Sequence, residues 1–168
     1  GLLANYEGYL AESEIDMNVY RIDGGTLKAT IVAEGILGPN GLCFSPDEKI
    51  LYIIESRGVP TRKILAYDVA PGGDKISNKR LFVDAGPGTP DGMRADIDGN
   101  LWCGWGMGDP ELDGVFVFAP DGDLIGRIAL PERCANLCFG GPKRNRLFMA
   151  SSQSIYALYV NTQGALGG

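Results

Sequence analysis

The sequence predicts an all-β protein built from repeated antiparallel sheets of four strands. Apolar and polar residues alternate with a period of two in short segments rich in β-branched and aromatic residues. The chain has 25 glycines and 10 prolines among its 168 residues, and many of them stand in turn dipeptides that favour tight connections. No window carries a long, capped helical pattern.

A short phrase occurs three times along the chain, and its spacing is typical of the blades of a β-propeller. The copies are residues 39–44 (PNGLCF), 90–95 (PDGMRA) and 134–139 (CANLCF). Their polar positions are Asn40, Asp91 and Asn136, which follow one another at intervals of 51 and 45 residues. In each copy an oxygen-bearing side chain precedes a short apolar strand. Strands that lie side by side around an axis would bring these three side chains into one ring.

The predicted strands divide the chain into four units in sequence order. The first unit contains two outer strands, 18–22 and 27–32, without inner ones. Two complete four-stranded blades follow, and the last unit has three strands. The four units span residues 1–37, 38–87, 88–131 and 132–168. Because soluble proteins avoid open sheet edges, we expect this chain to be roughly half of a closed propeller, with the missing half or another copy of the chain as a partner.

Each strand inside these units follows from a short apolar run between turn residues. The runs are 50–54 (ILYII), 63–67 (KILAY), 80–83 (RLFV), 115–118 (VFVF), 146–150 (RLFMA) and 154–160 (SIYALYV). Hairpin signals separate them, as at 96–100 (DIDGN). That segment is similar to part of a calcium loop, but it lacks the twelve-residue ligand pattern, and a turn is favoured.

Composition and charge exclude several classes of function. The formal net charge of −6 argues against a surface that follows the phosphates of a nucleic acid. No run of about 18 apolar residues occurs, and a membrane span is therefore not expected. We expect a soluble protein, with cytoplasm and periplasm both left open. Because the first residue is not Met, we also expect the natural N-terminus to be missing from this sequence.

Histidine is absent, which removes most familiar catalytic arrangements. Ser-His-Asp triads, Cys-His dyads and His-ligated zinc sites cannot be built from this chain. Its four cysteines, which show no CxxC spacing, are expected to be buried free thiols: Cys43, Cys103, Cys134 and Cys138. Any catalysis must use carboxylates, amides, hydroxyls, Lys, Tyr or a metal held by oxygen.

Asn40, Asp91 and Asn136 have two interpretations. Converging carboxylate and amide oxygens suit a hard cation such as calcium, and a ring of blade-entry side chains supplies them without histidine. Asn and Asp are also good residues for capping the turn that leads into a strand. For any one of the three the interpretations are even, whereas for the matched set the ligand interpretation is favoured.

Longer motifs around the three copies carry a family resemblance. They are 39–42 (PNGL) with 44–47 (FSPD), 90–93 (PDGM) with 98–102 (DGNLW), and 138–141 (CFGG) with 146–148 (RLF). In order and spacing the set resembles the gluconolactonase, regucalcin and luciferin-regenerating enzyme family, and most of all its microbial gluconolactonase branch. The resemblance implies a six-bladed propeller with one divalent metal in its channel.

The resemblance also implies site residues. Asn40 and Asp91 match two of the family's metal ligands, and Asn136 stands as a channel-lining candidate. The other two family ligands, a Glu near the N-terminus and an earlier Asn, have no matching position here. Calcium is the expected metal, with zinc, magnesium and manganese as alternatives.

The chemistry implied is metal-dependent hydrolysis of a sugar lactone. A metal polarises the ester carbonyl or activates a bound water, and a carboxylate takes a proton from the attacking water. Asp91 is the only acid among the three repeat positions and is therefore the candidate general base. The alternative is a non-catalytic propeller fragment that binds a ligand or a protein.

Overall fold

The computed structural model describes residues 13–107 and 109–166. Within these ranges every regular element is a β-strand, which confirms the all-β prediction. The thirteen strands are β1 (Val19–Ile22), β2 (Ala29–Ala33), β3 (Pro39–Phe44), β4 (Ile50–Glu55), β5 (Lys63–Val69), β6 (Ile76–Asp84), β7 (Met93–Ala95), β8 (Leu101–Trp105), β9 (Gly114–Phe118), β10 (Leu124–Ala129), β11 (Cys134–Gly140), β12 (Arg146–Ser151) and β13 (Ile155–Tyr159). No helix in this part of the chain is long and apolar enough to cross a membrane.

The strands form four antiparallel sheets, in each of which every strand pairs with the next one along the chain. The first sheet contains β1 and β2, the second β3 to β6, the third β7 to β10 and the fourth β11 to β13. The second and third are therefore the four-stranded meanders that a propeller blade requires. The described sheets do not close on themselves.

One strand is longer than its sequence pattern predicts. β6 begins at Ile76, whereas the apolar run that predicts it covers only 80–83. Residues 77–80 of this strand are polar and exposed, so they carry no alternating apolar signal. Asn78 has a positive φ of 52°, and its Nδ2 donates a hydrogen bond of 2.7 Å to Oδ2 of Asp68 on β5.

The core lies between the faces of neighbouring sheets, and β4 shows how the sequence builds it. Because successive side chains of a strand point to opposite faces, Leu51 and Ile53 pack in the cluster shared with the first sheet. Tyr52 and Ile54 pack in the cluster shared with the third sheet. Both faces are buried, which explains the continuous apolar run at this strand.

The innermost strands β3, β7 and β11 lie side by side, and glycines allow them to do so. A Cβ on Gly41 would lie 2.2 Å from the backbone oxygen of Asp91. A Cβ on Gly92 would lie 2.3 Å from Oδ1 of Asn136. The glycine that follows the polar residue in the first two copies of the repeat is therefore required by the close approach of the next blade.

The four cysteines are free thiols, and three of them are buried as predicted: Cys43, Cys103 and Cys134. The prediction is wrong for Cys138, which is exposed. Leu137 points into the core of the fourth sheet, and Cys138 therefore points to the opposite face. There it borders an open cleft with Phe148 and Ile155, and no other sheet among the described residues covers it.

Candidate site at the inner strands

The three repeat positions lie at the same place in consecutive sheets. Asn40 is on β3, Asp91 stands two residues before β7, and Asn136 is on β11. The pairing register shifts beside both asparagines, between Pro39 and Leu42 and between Cys134 and Asn136. A bulge of this kind turns a side chain away from the regular alternation of the strand, and bulges are frequent next to functional sites.

Asn40 and Asp91 are in direct contact. Nδ2 of Asn40 donates a hydrogen bond of 3.0 Å to Oδ1 of Asp91. The backbone of Asp91 is fixed as well, because its N–H donates to the carbonyl of Gly104 at 2.9 Å. The side chain of Asp91 is only 19% exposed, so the carboxylate is held at the junction of two sheets.

A third residue, which the sequence reasoning missed, completes this contact. Arg133 forms an ion pair with Asp91, from one terminal nitrogen of the guanidinium to Oδ2. The other terminal nitrogen of Arg133 lies 3.8 Å from Sδ of Met107. Arg133 directly precedes the third copy of the repeat, and this position at a blade entry was the one available signal. Both oxygens of Asp91 are thus engaged, one by the preceding blade and one by the following blade.

Asn136 lies beside the pair without joining its hydrogen bonds. Its side chain packs against Gly92, and its Oδ1 accepts a hydrogen bond of 2.8 Å from the backbone N–H of Leu137. That contact is the local capping that the second interpretation of the repeat describes. Asn136 also borders the open cleft that contains Cys138. Its role as a channel-lining residue stays a prediction.

The donors at this position are suited to a hard cation, but they form only part of a coordination shell. Asp91 supplies a carboxylate and Asn40 an amide oxygen that its hydrogen bond to Asp91 leaves free, and both are ligands that calcium and magnesium prefer. Across the described residues no group of three or more His, Cys, Asp or Glu side chains could hold a metal. A calcium ion takes six to eight oxygens, and these two residues would provide a minority of them.

The thiols around the site do not supply alternative chemistry. Burial raises the pKa of Cys134 to about 11, and burial also raises the pKa of Cys103, which adjoins Asp91. Both groups are therefore protonated near neutral pH, and neither offers the thiolate that a nucleophile or a soft-metal ligand requires. The oxygen donors of Asn40 and Asp91 are therefore the candidate functional groups of this region.

The turn at 96–100 is structural, as predicted. Asp96 is fully buried. Its Oδ1 accepts from the backbone N–H groups of Asp98 and Asn100 at 3.0 and 2.9 Å. Its Oδ2 accepts from Nδ2 of Asn100 and from Nε1 of Trp102, each at 2.9 Å. With both oxygens satisfied by the hairpin itself, Asp96 closes the turn between β7 and β8.

Comparison with known proteins places this chain in a family. The model of the SMP-30/Gluconolactonase/LRE-like region matches residues 6–153. The gluconolactonase of Zymomonas mobilis is 31% identical over an alignment of 177 residues, gaps included, that covers 92% of this chain and 45% of that protein. Regucalcin of Xenopus laevis is 34% identical over 122 residues, which cover 67% of this chain and 37% of that protein.

A solved structure shows the same fold. The gluconolactonase from Xanthomonas campestris superposes with a TM-score of 0.75 at 32% sequence identity, over 89% of this chain and 47% of that one. The chain spans less than half the length of each of these three proteins. The family model nevertheless covers most of the sequence, including all three copies of the repeat. The chain belongs to the SMP-30/gluconolactonase/LRE-like family.

Proposed function

We propose that this protein hydrolyses a sugar lactone at a divalent metal ion that Asn40 and Asp91 help to hold. The observation that carries the proposal is the contact between the amide of Asn40 and the carboxylate of Asp91 at the junction of two inner strands. Relatives described as gluconolactonases support the substrate class. The described chain contributes part of the site, and the activity is proposed for the complete propeller.

In this proposal Asp91 binds the ion through its carboxylate and Asn40 through its amide oxygen. Oxygen donors without histidine or thiolate favour calcium, with magnesium, manganese and zinc as alternatives. When bound, a divalent ion would supply Lewis acidity towards the ester carbonyl or towards a water molecule. Two backbone contacts hold these ligands in place. The N–H of Asp91 donates a hydrogen bond to the carbonyl of Gly104, and Gly41 lies close against the backbone oxygen of Asp91.

Asp91 is also the proposed general base, and the contacts define what that role requires. Its Oδ1 accepts from Asn40, and its Oδ2 is paired with Arg133. Each carboxylate oxygen can accept a second hydrogen bond, so a water molecule can give its proton to Asp91 at an acceptor site that these partners leave open, within hydrogen-bond reach of the carboxylate. The amide of Asn40 is the partner that would turn towards the ion.

The test is lactone hydrolysis by the complete protein with and without the ion. Hydrolysis of glucono-1,5-lactone is followed by acid release in a pH-stat, before and after chelator treatment and after readdition of calcium chloride. We expect the activity to disappear with chelator and to return with calcium. Activity that persists in protein shown to be metal-free by elemental analysis would contradict the metal role, and absence of hydrolysis in the loaded protein would contradict the substrate class.

A further inference from the structure

We propose that Arg133 is a positioning residue that shares the carboxylate of Asp91 with the metal ion. The guanidinium fixes the orientation of that carboxylate, and its positive charge loosens the binding of the cation. This inference rests on the proposed function, since it concerns the same site. It assigns a role to a residue that belongs to none of the repeated motifs.

The contacts of Arg133 make it part of the site. Its guanidinium pairs with Oδ2 of Asp91, whereas Asn40 occupies Oδ1. The planar fork of a guanidinium holds a carboxylate in a defined direction, which an ammonium group does not do. Asp91 is thereby held from both sides, by a side chain from β3 and by one that precedes β11.

The surroundings of Arg133 keep the guanidinium in place. Its side chain is two-thirds buried, at 33% exposure, and one terminal nitrogen lies against Sδ of Met107. Nε of Arg133 is buried and has no hydrogen-bond partner among the described residues. A charged group with an unsatisfied buried nitrogen is retained at a cost, and the pairing with Asp91 offsets that cost.

The charge has a direct consequence for a bound cation. A cation on Asp91 would lie within a few ångströms of the guanidinium, where repulsion between like charges is substantial because the pair is partly shielded from water. Arg133 therefore weakens the binding of the metal while it orders the ligand. Removal of its charge should tighten metal binding and slow turnover, whereas general damage to the fold would weaken both.

The experiment measures these two quantities separately in the complete protein. Calcium chloride is titrated calorimetrically into metal-free wild type, R133M and R133K, and kcat and KM for glucono-1,5-lactone are measured with saturating calcium. R80M is the matched control, because Arg80 forms an ion pair of 2.7 Å with Asp68 on the surface and its loss changes the net charge equally. Circular dichroism and thermal unfolding establish that each variant is folded.

We expect R133M to bind calcium about tenfold more tightly than the wild type, because one nearby positive charge is lost. We expect kcat of R133M to fall about tenfold or more with a smaller change in KM, because the base and ligand lose their fixed orientation. R133K keeps the charge without the fork and should retain wild-type calcium affinity with a reduced kcat. R80M should match the wild type in both measurements.

Folded R133M that binds calcium as the wild type does, or more weakly, would overturn the inference and leave the proposed function intact. If R133M does not fold, R133Q provides the same test with a shorter, uncharged side chain. A wild-type protein that binds none of calcium, magnesium, manganese and zinc would overturn the metal proposal and this inference with it.

Discussion

Nδ2 of Asn40 donates a hydrogen bond of 3.0 Å to Oδ1 of Asp91, although the two residues are 51 positions apart in the sequence. They occupy equivalent places in the first two copies of the repeat, and the contact forms because β3 and β7 are neighbours at the inner edge of consecutive sheets. Arg133 then attaches the next blade to the same carboxylate. One acidic side chain therefore connects three blades.

Replacement of Asp91 by Asn should lower the lactonase activity of the complete protein at least about a hundredfold and weaken its binding of calcium. The variant keeps the shape of the side chain but loses the charge that the proposed roles in metal binding and proton transfer require. Turnover and calcium affinity of the complete D91N protein provide the measurement. D121N, a change at an exposed turn, is the control and should behave as the wild type. Near-normal turnover in D91N would refute both roles of this residue.

Replacement of Gly41 by Ala should destabilise the protein, because the new Cβ would lie 2.2 Å from the backbone oxygen of Asp91. We expect the free energy of unfolding to fall by about 2 to 3 kcal/mol, because overpacking against a fixed backbone is destabilising. The displaced Asp91 should also lower activity. Urea denaturation measures the first effect. G24A is the control, because its Cβ would meet nothing within 4 Å. If G24A lost as much stability as G41A, the close approach of Asp91 would not explain the effect.

Replacement of Asp96 by Asn should loosen the hairpin between β7 and β8. Oδ2 accepts hydrogen bonds from Asn100 and Trp102, and the amide group of Asn cannot satisfy the donors on both sides of the side chain. We expect the free energy of unfolding to fall by about 2 to 4 kcal/mol, with a change in Trp102 fluorescence. D98N is the control, since Asp98 is exposed. Equal unfolding midpoints for D96N and D98N would show that Asp96 is not the closing residue.

Alkaline pH should destabilise the protein through its buried thiols. Burial raises the pKa of Cys134 to about 11, above the value of an unfolded cysteine, so the unfolded state ionises first. The contribution of Cys134 to stability is complete below about pH 8.5, the pKa of a free cysteine, and is lost as the pH rises through about 11. Urea midpoints measured from pH 7 to 10.5 should fall, and they should fall less steeply in C134A. The same slope in both proteins would assign the loss to other groups.

Thiol labelling should distinguish Cys138 from the other cysteines. Cys138 is exposed, whereas Cys43, Cys103 and Cys134 are buried, and reaction with iodoacetamide requires an accessible thiolate. For the chain of 168 residues we expect one fast label in the native state at pH 8 and four after denaturation, counted by mass spectrometry. The C138S variant should take up none at the fast rate. Rapid native labelling of C138S would show that a buried thiol is accessible.

Local pattern was sufficient for much of the fold. The period-two segments predicted β4, β5, β9 and β12 within a residue or two of their bounds, because a strand buried on one or both faces must carry its apolar residues at fixed intervals. β6 shows where this signal ends, since its residues 77–80 are polar and exposed and nothing in the local pattern marks them.

The sequence by itself determined most of the strands, the repeat, the family, and Asn40 and Asp91 as candidate site residues, because a repeated unit places equivalent residues at equivalent positions. Only the tertiary structure decided that Arg133 occupies Oδ2 of Asp91 and that Oδ1 of Asn136 is bound to its own strand. The physical reason is that Arg133 stands outside the repeated motif, so no repeat marks it as a neighbour of Asp91. Arg133 and Asp91 are 42 residues apart, and their contact depends on the angle between two blades and the path of one loop, which no local spacing of side chains encodes.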